Sequence, residues 1–173
     1  MKKIILLLIL VLVACSKVNP NLDQNSPHLN LTSSEFRDGK RIPAKYTCEG
    51  LDISPPLEIS NVPENAKSLT LIMDDPDADN TWVHWVVFNI PPNTNSLASG
   101  QQPEGRAGIN AFNTLIYGGP CPPDTEHRYF FKLYALDKKL SLEEGASKEQ
   151  IINAMKGHIL AQTTLSGNFK KNG

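Results

Sequence analysis

Apolar and polar residues are distributed unevenly along the chain. An apolar run from Ile4 to Ala14 stands at the start, behind Lys2 and Lys3. Residues 16–28, SKVNPNLDQNSPH, then carry little apolar material and read as a tether. From Leu29 onward the pattern changes to short β-like pieces. LNLTSSEF predicts a strand followed by a turn, and GKRIPAKYT a second extended piece. Gly50, Pro55, Pro56 and Pro63 punctuate CEGLDISPPLEISNVP and exclude a long helix there.

Clearer elements follow. AKSLTLIMDD reads as a strand ending in the acidic turn DDPDADN. TWVHWVVFNI is apolar on both faces. A period of two puts Trp82, His84, Val86 and Phe88 on one side, and Val83, Trp85 and Val87 on the other. Such a strand is expected at the centre of a sheet, covered on both surfaces. Residues 96–114 form a long irregular segment interrupted by glycine and proline. HRYFFKLYALD predicts a third strong strand, with His127, Tyr129, Phe131 and Leu133 alternating against Arg128, Phe130, Lys132 and Tyr134. The one convincing helix starts at Ser147, where Gln150 completes a capping box. Its inner face is Ile151, Ile152 and Met155, and Gly157 ends it. HILAQTTLSGNF returns to β-like composition. The pattern predicts one mainly β domain with a small helix near the C-terminus. A β-sandwich follows, because both faces of the central strands need cover.

The first apolar run is too short for a spanning helix, which takes about 20 residues. Behind two lysines it has the form of a secretory signal. It ends in LVAC, Leu12 to Cys15, which looks like a bacterial lipobox, with cleavage before Cys15 and acylation of that residue. An ordinary signal cut after Ala14 is the alternative. The expected organisation is residues 1–14 as lipoprotein signal, 15–28 as lipidated cysteine and flexible tether, and 29–173 as the folded domain. Ser16 follows the cysteine, with no aspartate there to suggest inner-membrane retention. The expected location is therefore an outer membrane, facing the periplasm. Among all 173 residues, 17 Lys and Arg stand against 18 Asp and Glu. Losing Lys2 and Lys3 with the signal leaves the remainder mildly acidic, which argues against a nucleic-acid partner. Two cysteines remain beyond the anchor. Cys48 and Cys121 are candidates for a disulfide outside the cytoplasm, with two separately buried thiols as the alternative. Two thiols without CxxC spacing are a poor fit to zinc.

Three features look chemical: the turn from Asp74 to Asp79, the core-strand histidine His84, and YGGPCPPDTEHRYFF from Tyr117 to Phe131. Aspartates beside Pro76 often only accept backbone hydrogen bonds in the turn. His84 alone reads equally as a satisfied core histidine. His127 starts a strand just after a loop, where sites tend to lie. A hydrolase would need a nucleophile beside a base. Ser33, Ser34 and Ser54 sit in turn-like segments without an elbow motif, and Cys121 is wedged between prolines. A His/Asp metal site would compete for the same side chains.

DPDA, HWVVFNIP, YGGPCPP, HRYFFKLYALD and MKGHILAQTTLSG together resemble the phosphatidylethanolamine-binding protein family, in its bacterial Raf kinase inhibitor-like (YbhB/YbcL-type) branch. The resemblance runs from about Leu29 to Phe169. It implies a Greek-key antiparallel β-sandwich with short peripheral helices and a pocket for small anions. Matched residue by residue, it implies ligand contacts from Asp75, Asp77, His84, Gly119, Pro120, His127 and Tyr129, with Tyr117 shaping the wall. Imidazole and loop N–H groups donate to phosphate oxygens, and ionised carboxylates then serve to orient the histidines. The chain departs from the pattern in three places. Asp79 stands where a proline is usual after DPDA, Ile59 where a tryptophan is usual, and NAFNT lacks a glycine usual near the asparagine. The expected function is a lipid-anchored binding protein with a small anion pocket for phosphate or a phospholipid headgroup. It is expected to work without catalytic residues, cofactor or metal. An inhibitor or scaffold acting on an unidentified protein partner through its surface is the alternative, and a weak hydrolase a third reading.

Overall fold

A computed structural model describes residues 28–172. The signal-like run, Cys15 and the tether up to residue 27 lie outside the described residues. Among the described residues nine strands form two sheets, and one α-helix backs the larger of them. In chain order they are β1 (Asn30–Thr32), β2 (Lys40–Arg41), β3 (Leu57–Ser60), β4 (Ser68–Asp75), β5 (Trp82–Ile90), β6 (Ser96–Leu97), β7 (Arg106–Ala107), β8 (His127–Leu136), α1 (Lys148–Met155) and β9 (Ile159–Phe169). The small sheet has the order β1-β3-β6, and the large one β2-β9-β8-β4-β5-β7. The main core lies between them. Leu31, Leu57, Ile59 and Leu97 of the small sheet meet Leu71, Met73, Phe131, Leu133 and Leu165 of the large one. A second core on the far face packs Ile72, Val86 and Phe88 against Ile151 and Met155 of α1. The mainly β sandwich expected from the pattern is the fold observed.

The centre of the large sheet is β4, not β5. All eight residues of β4 are buried, and it pairs antiparallel with β5 on one edge and β8 on the other. The outer edge of β5 meets only the two residues of β7 and then an irregular segment. Gly108 N–H donates to Val86 O, Ala111 N–H to Val83 O and Gly118 N–H to His84 O. Apolar residues on both faces report cover above and below a strand. They carry no information about what lies beside it, which is why the pattern misplaced β5. The irregular stretch 96–114 indeed contains β6 and β7, too short to show a period. GKRIPAKYT holds β2 and then a 3-10 turn at Ala44–Tyr46, entered from Pro43 and closed by the Thr47 hydroxyl donating to Ala44 O.

The helix follows its sequence signals with one change. Ser147 Oγ accepts from Gln150 N–H, and the Gln150 side chain accepts from Ser147 N–H. Gly157 lies just past the C-cap at φ 76°, a conformation glycine adopts without strain. Ile151 and Met155 are buried, but Ile152 faces outward at 36% exposure, so the inner face is narrower than expected. Lys148, the first residue of α1, reaches the sheet. Its Nζ lies 2.5 Å from Oδ2 of the fully buried Asp74, and Lys132 Nζ lies 2.8 Å and 2.9 Å from the two oxygens of the same carboxylate. Cys48 and Cys121 are joined through their sulfurs, with Cα atoms 5.5 Å apart.

Candidate functional site

The antiparallel pairing of β4 with β8 brings the end of one beside the start of the other, with Asp74 opposite Phe130. The acidic turn after β4 therefore stands next to His127. Asp75 organises this junction. Its Oδ1 accepts the N–H groups of Asp77 and Ala78, closing the turn, and its Oδ2 lies 2.7 Å from His127 Nδ1. An ionised Asp75 fixes the proton of His127 on Nδ1 and leaves Nε2 as the free nitrogen. Asp77 pairs with an arginine and not with a histidine. Both its oxygens take the Arg128 guanidinium, at 2.9 Å and 2.7 Å, and it also accepts Arg128 N–H. That guanidinium holds the Asp77 carboxyl down to about 2.

His84 reaches the same place through a β-bulge. Met73 pairs with Trp85 and Asp74 with Val83, so His84 is the extra residue of β5. A bulge re-aims a side chain across the sheet. Strict alternation would put His84 with Val86 and Phe88 on the helix side. Instead its ring stands edge-on to Tyr129, 5.2 Å between centroids, while Val83 packs with the helix-side core. The expected facial grouping is therefore corrected for His84 and Val83. No carboxylate orients His84. Its Nδ1 lies 2.7 Å from Gly118 O, which can only accept, so Nδ1 carries the proton and Nε2 again remains free. Burial pushes the His84 pKa down, while the Gly118 carbonyl and the charge of Asp75 act in the opposite direction.

Tyr129 lies two residues along β8 from His127. It is fully buried, and its hydroxyl has no hydrogen-bond partner among the described residues. Burial and the charge of Asp75 push its pKa up, opposed by the nearby Cys121 N–H, which does not complete a hydrogen bond to the hydroxyl. His84, His127, Tyr129, Asp75 and Asp77 all line one cleft of about 690 Å³. The facing wall is the loop from Cys121 to Thr125, with Trp82 and Phe112 at another side. Cys121 is bonded to Cys48 and offers no thiol nucleophile there.

Two expected contact residues, Gly119 and Pro120, and the expected wall residue Tyr117 are not among the residues that line the cleft. Tyr117 is buried behind it, edge-on to Trp85, and its hydroxyl donates to Tyr46 O. Gly119 and Pro120 form the support of the loop. Gly119 N–H donates to Asp52 Oδ1 at 2.7 Å, and a Cβ there would meet that oxygen at 2.4 Å and Tyr46 O at 2.7 Å. The glycine is required by that close approach. Pro120 O accepts from Cys48 N–H. Residue types alone do not separate a wall from its support, so motif matching carried all three into the site.

The sequence marks the NAFNT loop only by its missing glycine, and not Asn110 or Phe112 individually. Asn110, 6% exposed, donates to His84 O and Ile116 O and accepts from Phe112 N–H, Thr114 N–H and the Thr114 hydroxyl. It ties the 110–116 loop to the edge of β5 and presents Phe112, whose ring stands edge-on to both His84 and Trp82. Among the described residues no group of three or more His, Cys, Asp or Glu is arranged to hold a metal.

The geometry can be compared with known proteins. Residues 32–170 match the family described as phosphatidylethanolamine-binding protein. The chain belongs to that family. A UPF0098 protein of Methanothermobacter thermautotrophicus is 51% identical over 150 residues, covering 83% of this chain and 99% of the relative. The crystal structure of a putative phosphatidylethanolamine-binding protein homolog, CT736 of Chlamydia trachomatis, is 48% identical. It superposes with a TM-score of 0.82, over 85% of this chain and 100% of that one. Escherichia coli YbcL, described as a member of the mammalian family, gives 0.78 at 29% identity over 84% of this chain and 99% of that one. Membership in the phosphatidylethanolamine-binding protein family makes this chain, at the coarse level, a ligand-binding or protein-interaction module.

Proposed function

We propose that the domain binds a small anion, phosphate-like or carboxylate-like, in the cleft between the acidic turn and the Cys121–Thr125 loop. One observation carries this reading. Both imidazoles have Nδ1 committed to internal acceptors, and their Nε2 atoms are left for a cleft that also holds the unpartnered Tyr129 hydroxyl. Once a ring is protonated its Nε2–H is a charge-assisted donor of the kind that recognises oxyanions, and a bound anion favours that imidazolium form. Asp75 orients His127, and the Gly118 carbonyl orients His84. Neither oxygen needs to touch the ligand.

Titration of the full chain, in nonionic detergent, with inorganic phosphate tests the assignment. The imidazole resonances of His84 and His127 are expected to shift together and saturably. Unmoved signals from both rings would reject the pocket. We further propose that Cys15 is acylated and holds the domain at the cell envelope, most consistently at an outer membrane facing the periplasm. The Lys2–Lys3 and Leu12–Cys15 patterns support this, and a Cys48–Cys121 bond suits an oxidising compartment.

A further inference from the structure

The Cys48–Cys121 bond ties together two segments that are held very differently. The Cys48 side has many bonds of its own. The Thr47 N–H and hydroxyl both donate to Ala44 O, Gly50 N–H donates to Thr47 O, and Leu51 N–H to Lys45 O. The C-terminal tail clamps the same segment, because the two Glu49 carboxylate oxygens accept the N–H and the side-chain amide of Asn172. The Cys121 side has almost nothing comparable. Among the described residues, the one hydrogen bond made within 121–126 runs from Thr125 N–H to the neighbouring Asp124 Oδ1. Pro122 and Pro123 have no N–H to offer. The buried Pro122 ring and the bond through Cys121 are what pin this loop. The same loop, Cys121 to Thr125, is a wall of the cleft, and the Cys121 N–H stands near the Tyr129 hydroxyl. Both half-cystines are exposed. Exposed disulfides are the ones open to an attacking thiolate.

We infer that Cys48–Cys121 is a thiol-exchange site, opened in the folded protein by a dithiol, and that opening it releases the 121–125 wall and weakens anion binding in the cleft. This rests on the anion-pocket reading for the affinity that changes, and adds a modification site that controls it. In the exchange, one thiolate of the dithiol bonds to one cysteine sulfur and expels the other. Its second thiol then displaces the first cysteine and closes the dithiol to a disulfide. Two electrons pass to Cys48 and Cys121, which take up the two protons that the dithiol gives up. The 44–51 segment keeps its own hydrogen bonds, so the freedom gained falls on the loop. Coupling of this kind is reciprocal: an anion that prefers the closed wall protects the bond by the same factor that the bond adds to its affinity.

The test equilibrates the full chain, in nonionic detergent without denaturant, against mixtures of reduced and oxidised dithiothreitol. Alkylation and intact mass count the freed thiols, circular dichroism follows the fold, and calorimetry reads inorganic phosphate binding. Two labels are expected to appear while the β-sheet signal is retained, with phosphate affinity about tenfold lower in the reduced chain. Saturating phosphate should raise the ratio of reduced to oxidised dithiothreitol needed for half-opening by the same factor. C48S/C121S should bind phosphate as the reduced chain does and ignore the dithiol. If that variant does not fold, the reduced wild-type chain decides the matter. Labels that appear only in urea, or loss of the sheet signal on reduction, would make the bond a structural staple and overturn the exchange site. Equal phosphate affinity in both forms would overturn the coupling and leave the anion pocket standing. Phosphate binding to neither form would remove the pocket and the coupling together.

Discussion

His84 is central to the proposed anion pocket, and its environment gives it a definite pH behaviour. Folding buries the ring in its neutral form, with a pKa below the 6.5 of a free imidazole. The unfolded chain therefore takes up the proton first as pH falls. The His84 contribution to stability is complete above pH 6.5 and is lost as pH drops through the lowered folded value. A bound anion favours the imidazolium and opposes that loss. Between about pH 7.5 and about pH 5.5, the urea midpoint of the ligand-free protein should fall. Affinity for sulfate, which does not titrate there, should rise over the same interval. His84→Gln should flatten both trends. If that variant follows wild type in both, the buried neutral imidazole is not the titrating group. At this scale His84, His127, Asp75 and Tyr129 were legible from motif and residue type. The partners of His84 and Asp77 were not. Gly118 O and Arg128 are brought in by the fold, and a backbone carbonyl has no residue type to read.

At the scale of elements, α1 is held by a buried charge as well as by Ile151 and Met155. Asp74 is fully buried and has two lysine partners, one from β8 and one from the first turn of α1. Removing one lysine leaves the carboxylate with the other and should cost about 1 kcal/mol. Removing both, in K132M/K148M, leaves a buried uncompensated charge and should cost about 3–5 kcal/mol. Urea denaturation of the two single variants and the double checks this. The loss in the double variant should exceed the sum of the singles. Simple additivity would mean that Asp74 finds water or protonates at little cost. The helix itself was readable, because a capping box and a terminal glycine act within a few residues. The position of β5 at the side of the sheet and its bulge at His84 were not. Both depend on neighbours, β4 and the 106–118 segment, that are paired only after folding.

For the whole molecule, the central question is how the domain is held in place. Acylation of Cys15 would give firm membrane attachment, since each buried methylene contributes about 0.8 kcal/mol and two or more chains act together. Cys15→Ala should move the protein from the membrane to the soluble fraction and abolish palmitate labelling. Persistent labelling in that variant would show the lipid to be elsewhere. The other whole-molecule reading, recognition of a protein partner through the surface, is separable in the same cells. A crosslinked partner that survives loss of both His84 and His127 does not use the cleft.

Short-range rules acting within the chain were sufficient for the main strands, the sandwich, the helix with its cap, and the identity of the residues at the bottom of the cleft. The family motifs carried the last of these, because each lies within one continuous segment. Tertiary structure alone decided which motif residues face solvent and which only support them. Tyr117, Gly119 and Pro120 are adjacent in sequence to the wall yet lie behind it, held by Tyr46, Asp52 and Cys48 from a distant segment. The bulge was decided the same way. One extra residue in β5 has no cost visible along the chain. It acquires a direction only against β4, where it turns His84 from the helix face into the cleft.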